Sequence, residues 1–191
     1  LHEAFGDRSV HAVLTVIGGF NSNELLPFID YDLISRNPKI LCGFSDITAL
    51  ANAITAKAGL VTYSGPHFST FCMPPDGYCL GYTASWFENV LFGCKSDLIL
   101  GSSNNYRDDA WYSPTINPEI KPNHGPVWIS GDREAKVCGR IIGGNLAVLG
   151  LLQGTPYLPK HEGGIVLMLE WCDEAKKGLN LAFFTQRVHS L

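Results

Sequence analysis

Between residues 10 and 17 the chain runs through Val10, Ala12, Val13, Leu14, Val16 and Ile17 and stops at Gly18-Gly19, the pattern of a buried strand entering a tight turn. Asn21-Ser22-Asn23 then offers capping side chains ahead of Glu24-Leu25-Leu26, which predicts a short helix. Asp30, Asp32 and Asn37-Pro38 interrupt the next stretch, leaving a second short helix near Tyr31 to Arg36. Residues 39–44 are a second apolar run. From 46 to 58 the apolar positions fall at 47, 50, 51, 54 and 58, the i, i+3, i+4 spacing of a helix with one buried face. Ser45 lies at the junction of that strand and that helix.

A third short strand is expected over 59–66, closed by Gly65-Pro66, then a loop rich in Pro, Gly and aromatics over 67–79 and a helix over 81–92. Residues 101–125 are dense in Ser, Asn, Asp and Pro with almost no periodicity, which marks a linker or long functional loop. Beyond it, 127–129 and 133–142 read as hairpin strands, 145–152 as a helix, 164–170 as a buried strand and 186–191 as the tail of a helix. Strands alternating with helices predict an α/β fold whose N-terminal part is a doubly wound, mostly parallel sheet. The expected organisation is an α/β domain over 1–100, a linker or active-site loop over 101–125, and part of a smaller α+β domain over 126–191.

Composition narrows the function classes. Hydrophobic residues make up 46% and charged residues 17%, with 20 Gly and 11 Pro, the make-up of a packed globular protein rich in turns. The net charge is −4 and no basic block occurs, so the electrostatic footprint of a nucleic-acid binder is missing. No apolar run approaches the roughly 20 residues that cross a bilayer. The first residues lack the basic and apolar regions of a signal peptide, and the six Cys are irregularly spaced with no Cys-x-x-Cys, so reduced thiols in a cytoplasmic protein are expected. Neither metal nor cofactor is expected.

The candidate chemistry centres on Ser45. A Ser between strand and helix, with Gly43 two positions earlier, has the layout of a nucleophile elbow, in which a strained turn lifts the hydroxyl clear of the sheet. The N–H of Asp46 then points with the helix N-terminus and can donate to an oxyanion, and Gly18-Gly19 is well placed to bring a second donor. The same letters also describe an ordinary N-cap, in which Ser or Asp accepts from first-turn amides. Glu170, ending the apolar strand, is either a half-buried carboxylate in need of a cationic or donor partner or a strand-end acid facing solvent.

Several segments in register, Ile17 to Asn23, Leu26 to Asp32, Gly43-Phe44-Ser45-Asp46-Ile47-Thr48-Ala49-Leu50, Thr62 to Pro66, Gly139 to Leu146, Gly154 to Tyr157 and Leu169-Glu170, resemble the LD-carboxypeptidase and microcin-immunity family of serine peptidases. The resemblance spans nearly the whole chain. It implies a flavodoxin- or amidotransferase-like N-terminal domain, a swivelling-barrel-like C-terminal domain, and a Ser-Glu-His triad in which Ser45 and Glu170 supply the first two members. It also implies an oxyanion hole at the amides of Gly19 and Asp46, with Asn21 and Ser22 on the rim.

The family's His follows the Glu by a longer stretch than this chain holds, and its first strand and helix precede the segment matching Leu1, so both ends read as trimmed. His189 resembles the helix after the Glu rather than the His loop, and His67, after Gly65-Pro66, is a further candidate to reach the site. One branch of the family removes D-alanine from murein tetrapeptides; the other cleaves the amide of peptidyl- or aminoacyl-nucleotides. Trp111, in the long loop, resembles the aromatic with which the second branch covers its site, and the expectation leans to that branch. A homodimer acting on a small peptide or peptidyl-nucleotide is implied, with an inactive, truncated binding module as the reading from another class.

Overall fold

The computed structural model describes residues 1–72, 81–93, 97–107, 119–171 and Val188. Residues 1–67, with the described part of 137–191, pack as one unit, and the described part of 68–136 as a second.

The first unit opens with α1 (His2–Gly6), β1 (Ala12–Leu14), a 3-10 helix over Ser22–Phe28, α2 (Tyr31–Arg36), β2 (Ile40–Gly43), α3 (Ile47–Ala58) and β3 (Tyr63–Ser64). The three strands form one parallel sheet in the order β1-β2-β3, with Val13 opposite Leu41 and Cys42 opposite Tyr63. The strand expected over 10–17 narrows to three residues because Val16 and Ile17 stand exposed on the way to the glycine turn. Asp30 starts α2 by accepting from the Leu33 N–H at 2.8 Å. Gly59, at φ 69°, ends α3 in the left-handed conformation that favours glycine.

Helix α3 is the centre of this unit because it is apolar on two sides. Ile47, Ala49, Leu50 and Ala53 join Leu26, Leu149 and Leu152 in one buried cluster, while Ile54 joins Phe5, Ile34 and Leu41 in another. Ala49 and Ala53 are fully buried, and their small side chains let neighbouring elements approach closely. Each fully buried Leu or Ile here contributes roughly 1.5–3 kcal/mol relative to an exposed one.

The second unit holds α4 (Phe68–Phe71), α5 (Gly81–Leu91) and the antiparallel pair β4 (Asn105–Tyr106) and β5 (Lys121–Pro122). Phe71 and Phe87 meet edge to face at 4.9 Å. The strand expected at 127–129 does not form: Val127 and Ile129 are exposed, and Trp128 turns back to donate from Nε1 to the Gly131 carbonyl.

The first unit resumes with β6 (Arg140–Asn145), α6 (Leu146–Gly150) and β7 (Ile165–Glu170). The hairpin expected over 127–142 is replaced by a parallel pairing of β6 with β7, Arg140 opposite Ile165 through Asn145 opposite Glu170. Among the described residues this is an open two-stranded sheet, not a closed barrel. Ile165, Leu167 and Met168 stand exposed, so the strand expected to be buried is only partly so. Among the described residues no helix is long and apolar enough to cross a membrane, and no group of three metal-ligating side chains forms.

Two glycines set β6 in place. A Cβ on Gly143 would strike the Met168 carbonyl of the neighbouring strand, and one on Gly144, at φ 122°, would strike the Thr48 side chain on α3. The strand can therefore press against the first turn of α3, where the Asn145 N–H donates to Thr48 Oγ1 at 2.9 Å and Asn52 Nδ2 donates to the Gly143 carbonyl at 2.9 Å. Asn145 then caps α6, its Oδ1 accepting from Ala147 and Val148.

Candidate functional site

Ser45 is the only non-glycine residue with positive φ among the described residues, at 60°. A residue so placed costs about 1–3 kcal/mol and persists only where its surroundings over-determine it. Here β2 ends at Gly43 and α3 begins at Ile47, so the chain reverses within Phe44, Ser45 and Asp46. Thr48 N–H donates to the Ser45 carbonyl and Ile47 N–H to that of Phe44, which closes the turn. The N-cap alternative fails for Asp46, which starts α3 without a side-chain capping bond.

The Asp46 carboxylate is turned instead to the glycine loop. It is 4% exposed, and its Oδ2 accepts from the Ser22 N–H at 3.0 Å, while Ser22 Oγ donates to the Asp46 carbonyl at 2.6 Å. Asp46 Oδ1 is buried with no partner among the described residues. This clasp holds residues 18–22 against the elbow. A Cβ on Gly18 would sit 3.0 Å from Ser45 Cβ, 3.1 Å from its Oγ and 3.6 Å from the Asp46 amide nitrogen; one on Gly19 would sit 3.1 Å from Asp46 Oδ2. Only glycine leaves space above the hydroxyl.

Glu170 arrives from the other side. Leu169 packs on the cluster around α3 and anchors the end of β7, and Glu170 Oε1 then accepts from the Ser45 N–H at 3.2 Å. Both side chains are half-buried. The structure thus brings together Ser45, Glu170, Asp46, Gly19 and Ser22. Asn21 is exposed at the start of the 3-10 helix and makes no side-chain capping bond there. Trp111 and His189 lie outside the described residues.

His67 does not lie in open loop. It is 2% exposed, stacked on Phe44 with ring centroids 4.1 Å apart, and its Nδ1 is 2.6 Å from Thr15 Oγ1. Burial pushes its pKa below the ordinary value, with the Phe44 backbone opposing. Behind it, burial pushes the Cys42 thiol up to about 11. The Thr15–His67–Phe44 contact and the Asp46–Ser22 clasp were missed from the sequence. Their only signals were a Thr inside a β-branched run and a His following Gly-Pro.

Residues 1–65 match the N-terminal domain of LD-carboxypeptidases and residues 138–185 their C-terminal domain, together more than half of the chain. Putative carboxypeptidase YocD of Bacillus subtilis is 52% identical over 170 residues, 88% of this chain and 50% of that protein. The microcin C7 self-immunity protein MccF of Escherichia coli is 35% identical over 175 residues, 88% of this chain and 49% of its own. The crystal structure of an MccF-like protein from Bacillus anthracis superposes with a TM-score of 0.88 at 46% identity, covering 99% of this chain and 55% of that one. MccF in complex with aspartyl sulfamoyl adenosine superposes at 0.76, with 33% identity over 88% of this chain and 50% of that one. The chain spans about half the length of the curated relatives it matches.

Proposed function

Because this chain belongs to the LD-carboxypeptidase family, we propose that it carries the nucleophile half of a serine carboxypeptidase or amidase, with Ser45 as nucleophile and Glu170 as the triad carboxylate. The observation that carries this reading is the positive φ of Ser45 at a strand-to-helix turn with bare glycine backbone over its hydroxyl. Ser45 Oγ attacks the carbonyl carbon and gives its proton to a base, a histidine outside the described residues. The tetrahedral oxyanion accepts from the amides of Asp46 and Gly19. Collapse expels the amine and leaves an acyl-Ser, which water then hydrolyses to free acid and Ser45.

Asn21, exposed beside the glycine loop, is proposed to contact the substrate, with Ser22 behind it holding Asp46. For the substrate we favour an aminoacyl- or peptidyl-nucleotide amide, since relatives of this fold have been solved with aspartyl sulfamoyl adenosine and with AMP.

The test is labelling with a fluorophosphonate, located by mass spectrometry, on this chain and on the full-length product of its gene, with Ser45→Ala as control. Label on Ser45 is expected; its absence from both, in folded protein, overturns the reading. Release of aspartate from aspartyl sulfamoyl adenosine, set against release of D-alanine from a murein tetrapeptide, decides between the branches.

A further inference from the structure

His67 is buried, polar and incompletely bonded, in a place where a purely packing role would be better filled by an apolar ring. Its Nε2 has no partner among the described residues. The Thr15 hydroxyl has one proton and two acceptors in reach, His67 Nδ1 at 2.6 Å and the Cys42 carbonyl at 3.3 Å. The arrangement that leaves no N–H unbonded puts the ring proton on Nδ1, donating to Thr15, while Thr15 donates to Cys42. Burial disfavours the protonated ring more than the Phe44 backbone favours it, so the imidazole is held neutral.

The ring's position is fixed from behind as well. Gly65 N–H donates to the Gly43 carbonyl at 3.3 Å and Cys42 Sγ lies 3.7 Å from the Pro66 carbonyl, which ties the segment before His67 to the end of β2. The imidazole is therefore anchored at Nδ1, tethered through its own backbone, and laid flat on Phe44, the residue before the strained Ser45.

We propose that Thr15 and His67 are positioning residues for Ser45: the hydrogen bond between them orients the imidazole, and the imidazole holds Phe44 and so the elbow in its strained form. Neither touches substrate. The inference rests on Ser45 as nucleophile for its kinetic consequence but not for its structural one, and the test separates the two.

Thr15→Val, Thr15→Ser, His67→Ala and His67→Phe are compared with the parent in the full-length product of the gene, in two measurements. One is fluorophosphonate labelling, resolved into probe affinity and rate of the chemical step; the other is backbone hydrogen exchange across residues 43–50. Thr15→Val and His67→Ala are expected to slow the chemical step by at least about tenfold with probe affinity unchanged, the scale of a displaced reacting group, and to speed exchange at the elbow. Thr15→Ser, which keeps the hydroxyl, restores both. In a His67→Phe background, Thr15→Val adds nothing further, because the hydroxyl acts through the imidazole. Exchange at 43–50 equal to the parent in Thr15→Val, or equal effects of Thr15→Val and Thr15→Ser, overturns the proposal. Should His67→Ala fail to fold, the near-isosteric Thr15→Val carries the comparison. A parent that never labels at Ser45 while its elbow exchange responds as expected rejects the nucleophile and leaves the brace standing.

Discussion

Glu170 Oε1 accepts the backbone N–H of Ser45 at 3.2 Å, so a residue 125 positions later in the chain holds the amide of the one strained side-chain-bearing residue in the described structure. A carboxylate on that amide favours the elbow whatever else it does in the reaction. Glu170→Gln keeps an oxygen acceptor and Glu170→Ala removes it. We expect Glu170→Ala to lower stability by about 1.5–3 kcal/mol, the range for a hydrogen bond to a charged group, and Glu170→Gln by less. Thermal unfolding of the two variants checks the order, and equal losses would show that the bond contributes nothing.

Gly18→Ala should separate folding from reactivity. The new methyl would meet Ser45 Cβ at 3.0 Å and Oγ at 3.1 Å, too close for both to keep their positions. Circular dichroism is expected to stay native while fluorophosphonate labelling of Ser45 falls about a hundredfold, the scale of a reacting atom displaced by about an ångström.

His67 gives stability a direction with pH. Its ordinary value is 6.5 and burial lowers it in the folded chain. Between those two values the unfolded chain binds a proton that the folded chain refuses, so the stability is fully present above pH 6.5 and is lost as pH falls toward the folded value. The Tm of the parent should therefore drop on acidification below that point more steeply than the Tm of His67→Phe. Parallel curves would show that His67 takes up its proton without cost.

The thiols should react in an order set by burial. Cys42 is 2% exposed with its pKa pushed up to about 11, whereas Cys72 and Cys138 are free and exposed. Iodoacetamide at about pH 8, near the ordinary thiol range, is expected to modify Cys72 and Cys138 well before Cys42, which reacts only as the chain unfolds. Peptide mapping over time reads this directly.

Much of the first unit was legible because its signals are local. The apolar spacing of α3 and the breaks that leave a short helix over Tyr31 to Arg36 each act within a few residues, and the structure keeps both helices. Ser45 was legible for the same reason, as a Ser after a strand and before a helix. What could not be read depends on distant pairing. Residues 127–129 have the composition of a strand but no partner strand, and 140–145 found theirs in parallel with Ile165–Glu170 rather than in a hairpin. The Asp46–Ser22 clasp and the Thr15–His67 bond join positions 24 and 52 apart, and nothing in either local stretch marks the other.

The core around α3 also has an order of assembly. Leu26, Leu50 and Ala53 share their cluster with Leu149 and Leu152, and residues 68–136 form a unit of their own in between. On the ribosome, the early part of the chain must wait with one apolar face uncovered until that whole insertion has been synthesised, a delay of seconds at about 5–20 residues per second. During those seconds the nascent chain offers chaperones a surface that the finished protein no longer shows.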